Sequence, residues 1–152
     1  MNPSKANSTS HFLAPVLFVH QGSEAIQFYA DAFGAKESYR LTDPRSGLIG
    51  HAELWIQENR ILISEIQQPT HSTGEPGAGS RIQLCLMVAD VDAAADRAIR
   101  AGASVTRAPA DHFHGHRCAN LRDPFGHEWM LACEFEKLTP AEMQLRWNAR
   151  PS

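Results

Sequence analysis

Apolar and polar positions along the chain fall into two rhythms, and the pair of rhythms occurs twice. Pro15 to His20 is rich in Val, Leu and Phe and predicts a strand. After a Gly22-Ser23 turn, Ala25, Ile26, Phe28, Tyr29, Ala32 and Phe33 recur at helical spacing. They predict a helix over 23–33, with Ser23 as N-cap and Gly34 as C-cap. Lys36 to Leu41 reads as a strand ending at the Asp43-Pro44 turn. His51 to Ile56 alternates strictly, placing Ala52, Leu54 and Ile56 on one face and His51, Glu53 and Trp55 on the other. Arg60 to Ile66 returns across a Glu58-Asn59 turn, which predicts a hairpin.

The order then starts again. Arg81 to Val88 predicts a strand, and Asp90 caps a helix carrying Val91, Ala94, Ala95, Ala98 and Ile99. Gly102 ends that helix, and a short strand follows over 104–107. A loop over 108–115 precedes a strand near 117–122. Asp123-Pro124-Phe125-Gly126 is a strong turn signal, and Glu128 to Phe135 is the last strand. Gly102-Ala103 lies 68 positions after Gly34-Ala35 (102 − 34), and the same offset overlays Ile61-Leu62-Ile63 on Trp129-Met130-Leu131. Two copies of strand, helix and three strands are therefore expected. Each copy covers only one sheet face with its helix. The other face needs a partner, so the two copies should enclose a cleft in a curved, mixed sheet. The fold class is α+β, with two βαβββ modules.

The expected divisions are a flexible arm over 1–12, one domain over 13–136 and a tail over 137–152. The modules span 13–66 and 81–136, joined by a polar, Gly- and Pro-containing linker over 67–80. Thr139-Pro140-Ala141-Glu142 resembles a capping box opening a terminal helix. A 152-residue chain that is 43% hydrophobic can bury one sizeable core. A net charge of -3 without a basic stripe argues against nucleic acid as a partner. No apolar run approaches the ~20 residues of a membrane span, and the polar first ten residues lack a signal-peptide centre. Cys85, Cys118 and Cys133 are odd in number and widely spaced, so buried free thiols in a reducing cytoplasm are expected. The stretch from Gly74 to Gly79 lacks the Lys of a phosphate-binding loop.

Ala25-Ile26-Gln27-Phe28-Tyr29 with Phe33-Gly34-Ala35, Val88 to Ala94 with Ala101-Gly102-Ala103, and Asp123 to His127 with Trp129 together resemble the vicinal oxygen chelate superfamily. This is the glyoxalase, bleomycin-resistance and extradiol-dioxygenase group, here its poorly characterised bacterial glyoxalase-like branch. The resemblance covers about 14–136. It implies a homodimer, and in the enzymes a divalent metal held by His and Glu on four inward strands. Carried over by spacing, those positions fall on Ala14, Leu62, Gln83 and Met130, of which only the Gln83 amide oxygen is a serviceable donor. No metal or other cofactor is therefore expected, with a divalent ion as the alternative.

His51, Glu53, Trp55, Gln83, Phe113, His114, Arg117 and Met130 are the candidate ligand-binding residues. Glu53 and His51 are candidates for a general base, and Trp55 for stacking on a flat ligand. Arg117 suits a carboxylate or phosphate, or a surface ion pair. His112, His114 and His116 would share a face of an extended segment, or form a solvated loop. His127 reads as a turn-packing or hydrogen-bonding residue, and Trp147 as a cover for the pocket or an interface residue. Three readings stand: metal-independent binding of a small planar or aromatic molecule; a lyase, isomerase or dioxygenase with relocated metal ligands such as His51, Glu53 and His114; and a metal-free enzyme using Glu53 or His51.

Overall fold

A computed structural model describes residues 11–67 and 82–151. The expected arm and linker therefore fall largely outside the described residues. Within them the order is β1 (Val16–Val19), α1 (Gly22–Phe33), β2 (Lys36–Thr42), β3 (Ile49–Ile56), β4 (Asn59–Glu65), β5 (Gln83–Met87), α2 (Val91–Ala101), β6 (Ser104–Asp111), β7 (His116–Arg122), β8 (Glu128–Glu134) and α3 (Pro140–Asn148). The two modules form two four-stranded mixed sheets with matching orders, β1-β4-β3-β2 and β5-β8-β7-β6. In each, the first strand pairs parallel with the fourth and the rest pair antiparallel.

Why the helices stop where they do is local. Gly34 adopts φ 70, and its N–H donates to the Ala30 carbonyl while that of Ala35 reaches Tyr29. A left-handed residue closing a helix in this way is what glycine permits at least cost. Asp90 caps α2 by accepting the Ala93 N–H at 3.0 Å. Thr139 and Glu142 complete the expected capping box of α3. The start of α1 differs from expectation: Gln21, not Ser23, is the cap, and no side chain caps that end. Tertiary packing sets it. Gly22 lies so close to Glu65 that an added Cβ would sit 2.7 Å from its Oε2. Ser23 Oγ instead accepts from Arg40.

The second correction concerns β6, which runs through Pro109 to Asp111 rather than ending near Arg107. As the edge strand it tolerates a residue without an N–H, and register shifts absorb the irregularity. The expected loop over 108–115 shrinks to a tight turn. The thiols also divide: Cys118 is buried, Cys133 half-buried and Cys85 exposed.

α1 and α2 pack against each other, so both modules share one core. Its centre is aromatic: Phe28, Tyr29 and Phe33 of the first module meet Phe125 and Trp129 of the second, with Phe33 and Trp129 centroids 4.5 Å apart. Such pairs add to the area they bury. At the heart of this cluster lies the buried carboxylate of Asp123. Its Oδ2 accepts the Tyr29 hydroxyl at 2.5 Å and the Trp129 indole N–H at 3.0 Å, while Oδ1 accepts the backbone N–H of Phe125 and His127. A buried charge persists where its acceptor sites are filled, as they are here. Burial, then the Asp123 charge, pushes the Tyr29 hydroxyl far above the ordinary tyrosine range, so it remains a donor. The expected role of His127 is borne out: its Nε2 meets the Phe18 carbonyl at 3.0 Å and ties the turn to β1.

With one face of each sheet committed to this core, the other faces are free of helix. On the first sheet that face carries Val16, Phe18, Tyr39 and Leu41, all exposed; on the second, Met87 is exposed likewise. No helix among the described residues is long and apolar enough to cross a membrane.

Candidate ligand-binding site

Strand alternation fixes what the helix-free face of the second sheet presents. In β8, Trp129 and Leu131 point into the core and Met130 points away. Register then places Cys85 of β5 and Asn120 of β7 beside Met130. A cavity of about 500 Å³ opens on this face, floored by Met130, Cys118, Ala108 and Ala110, with Gln83 and Asn120 as amide donors and acceptors. That volume suits a small organic ligand. Arg107, His112 and His114 form its rim.

The rim histidines sit where a tight turn brings them. The His112 N–H donates to the His116 carbonyl and that of Gly115 to His112. Of the two alternatives the segment takes the loop, drawn into a tight turn, and the imidazoles gather there: the His112 and His114 rings stack 5.4 Å apart, and the Nδ1 atoms of His114 and His116 approach to 3.1 Å. Burial, then the neighbouring His116 and His112, lower the pKa of His114 below 6.5. At neutral pH its ring is uncharged and can accept as well as donate. Gly115, with φ 83, makes the turn possible; an added Cβ would lie 2.2 Å from the Glu136 carbonyl oxygen.

Of the residues singled out from sequence, Gln83, Met130 and His114 line this cavity. His51, Glu53 and Trp55 occupy the helix-free face of the first sheet and do not line it. They are also engaged with neighbours. Glu53 accepts the Trp55 indole N–H at 3.1 Å and faces Arg60 at 3.8 Å. Arg60 in turn lies between the rings of Phe12 and Trp55, 4.0 and 4.7 Å from their centroids. His51 Nε2 lies 3.2 Å from the Tyr39 hydroxyl.

Arg117 takes the ion-pair alternative. It belongs to β7, and its side chain lies on the helix side, where it pairs with Asp92 at 2.7 Å and Asp111 at 3.0 Å. Phe113 also turns away from the cavity centre, packing edge-on to Trp147 of α3 with centroids 5.4 Å apart. Together with Met143 these two line a separate shallow groove. Trp147 thus covers the turn rather than the cavity.

Five lining residues were missed from sequence: Arg107, Ala108, Ala110, Cys118 and Asn120. Asn120 and Cys118 were legible in principle, since β7 alternates about the buried Ala119 and Leu121. Arg107 was not, because register shifts on either side of it decide which face of the sheet it takes.

The resemblance implies a divalent metal, and the donor set does not fit one. Leu62, Gln83 and Met130 are an aliphatic group, a neutral amide and a thioether, and the fourth position is Ala14. Hard cations take charged or multiple oxygen ligands. Nor do the described residues offer a group of three or more His, Cys, Asp or Glu arranged to hold an ion elsewhere.

Comparison with known proteins agrees with this architecture. An uncharacterised protein of Mycobacterium bovis is 35% identical over 147 residues, covering 91% of this chain and 93% of its own length. One from Mycobacterium tuberculosis is equally similar, over 83% of its length. Among solved structures, a glyoxalase/bleomycin resistance protein/dioxygenase family enzyme from Burkholderia phytofirmans superposes with a TM-score of 0.64 at 21% identity, covering 80% of this chain and 96% of that one. The fosfomycin resistance protein FosX from Listeria monocytogenes, in complex with Mn(II) and sulfate, superposes with a TM-score of 0.65 at 16% identity, covering 91% and 98%. The model of one family matches residues 9–131, and the chain belongs to that family, the Glyoxalase/Bleomycin resistance protein/Dioxygenase superfamily.

Proposed function

We propose that this chain binds a small planar or aromatic molecule without a metal, on the helix-free face of its second sheet. The observation that carries the reading is the centre of the cavity. Where a metal-dependent relative needs carboxylates and imidazoles, Met130 stands beside Asn120, with Gln83 lining the same cavity. A thioether and two amides can grip a flat ligand through dispersion and hydrogen bonds, but they cannot polarise it as a dication does. FosX, crystallised with Mn(II), shares the fold, and a fold of this kind hosts unrelated chemistries.

A homodimer completes the site in this reading. The helix-free face of the first sheet exposes the aliphatic side chains of Val16 and Leu41, which a second copy would cover. A second copy offers the same surface and the polar residues His51 and Glu53 beside it. Since Glu53 already answers Arg60 and Trp55, it suits a wall of the cleft better than a free base. A reducing cytoplasm suits three free thiols.

Thermal melting against a panel of flat aromatic compounds, neutral and charged, repeated after dialysis against EDTA, tests the reading. At least one compound is expected to raise the midpoint, because a ligand that binds only the folded state stabilises it. Chelation should leave that rise unchanged. A rise lost to EDTA and restored by Mn(II) or Zn(II), or a panel without any effect, overturns it.

A further inference from the structure

We infer that the cavity selects ligands bearing a carboxylate, and that Arg107 is the residue that holds it; the inference rests on the reading of this cavity as the ligand site. The chain has more acidic than basic residues, 17 against 14, yet no carboxylate lines the cavity. Two acids of β8 share this face, and one of them, Glu128, is already engaged. Glu128 accepts from Arg122 at 2.6 Å, and Glu134 lies 3.9 Å from His116. Arg107 is the arginine that lines the cavity, and like Arg45 and Arg100 its side chain is unengaged among the described residues. Arg40, Arg117, Arg122 and Arg146 each close an ion pair at 3.0 Å or less, whereas no hydrogen bond or ion pair within the described residues holds Arg107.

A guanidinium left without a carboxylate at the mouth of a cavity is a vacant fork for one. Its planar donors match a carboxylate in two parallel hydrogen bonds, which an ammonium or a neutral group does not reproduce. Asn120 pairs with Arg107 across the strands and can donate to the same anion. His112 and His114 supply further N–H donors on the rim, and Met130, Ala108 and Ala110 leave an apolar floor for the ligand's body. The preferred class is thus an aromatic or aliphatic acid, its charge at the rim and its hydrocarbon over Met130.

The test is calorimetric titration of the full chain at low salt with 2-naphthoate and with 2-naphthamide, which share a ring system and differ in charge. The acid is expected to bind about tenfold tighter or more, the scale of one charge-assisted hydrogen bond. Arg107→Gln should reduce the acid to the level of the amide and leave the amide unchanged, and Arg107→Lys should restore part of the preference. Arg107 is exposed on an edge strand, so both variants should melt with the parent, which a melting curve checks. Equal binding of acid and amide by the parent overturns the charge selection alone. Undiminished acid binding by Arg107→Gln overturns the role of Arg107. Binding of neither compound overturns both this inference and the reading beneath it.

Discussion

Asp123→Ala is expected to destabilise the protein by about 3–5 kcal/mol, the scale of breaking a buried charged network, which is roughly 6–20 °C in melting temperature for a domain of this size. The carboxylate answers four donors at once, two of them from buried side chains. Its removal strands the Tyr29 hydroxyl and the Trp129 indole N–H inside the core and unties the turn that carries Phe125 and His127. An unpaired buried donor costs more than a normal hydrogen bond contributes. Tyr29→Phe removes donor and demand together, leaving Asp123 with three partners, so its cost should be smaller, about 1–2 kcal/mol. In the double variant the two losses should not add, since the stranded hydroxyl is gone. Thermal melting of the three variants decides it. A shift of under 2 °C for Asp123→Ala, against the expected range, would mean that this carboxylate does not hold the modules together.

Gly115→Ala should be the most damaging small change near the site. Two separate penalties act. A non-glycine residue at φ 83 costs on the order of 1–2 kcal/mol. The new methyl must also displace the Glu136 carbonyl, which is backbone and cannot swing aside. The Gly115 carbonyl accepts the N–H groups of Phe135 and Glu136, so the two strands are locked at that point. Relief has to come from opening the turn, and with it the positions of His112 and His114. Gly126→Ala is the control, because Gly126 has φ 93 but nothing within 4 Å of an added Cβ. It should show the conformational penalty alone. Melting temperature and affinity for 2-naphthoate together report the outcome: both should fall for Gly115→Ala, whereas Gly126→Ala should keep its affinity. Equal behaviour of the two variants would mean that the turn yields easily and does not shape the cavity.

Much of the fold was legible because the signals are local. Gly34 and Gly102 end helices, Asp90 and Thr139 start them, and β3 alternates about Ala52, Leu54 and Ile56, all buried. The internal offset of 68 residues carried the duplicated topology. What stayed hidden is set by contacts far apart in sequence. The start of α1 depends on Glu65, the length of β6 on its edge position, and the pairing of Arg117 on Asp92 of α2. The candidate site suffered most from this. Its face was predicted through Met130 and Gln83 and its rim through His114 but not Arg107, because alternation says which way a side chain points and not which neighbour it finds. Residues of the first sheet were placed on the right face and assigned to a cleft that one chain does not close.

The most direct test of a metal-free pocket centred on Met130 is a crystal structure of the full chain grown with 2-naphthoate. Ring density over Met130, within reach of Asn120 and Gln83 and with no ion between ligand and protein, is the predicted result. An ion coordinated by protein side chains at that centre, or a ligand seated away from this face, would contradict it.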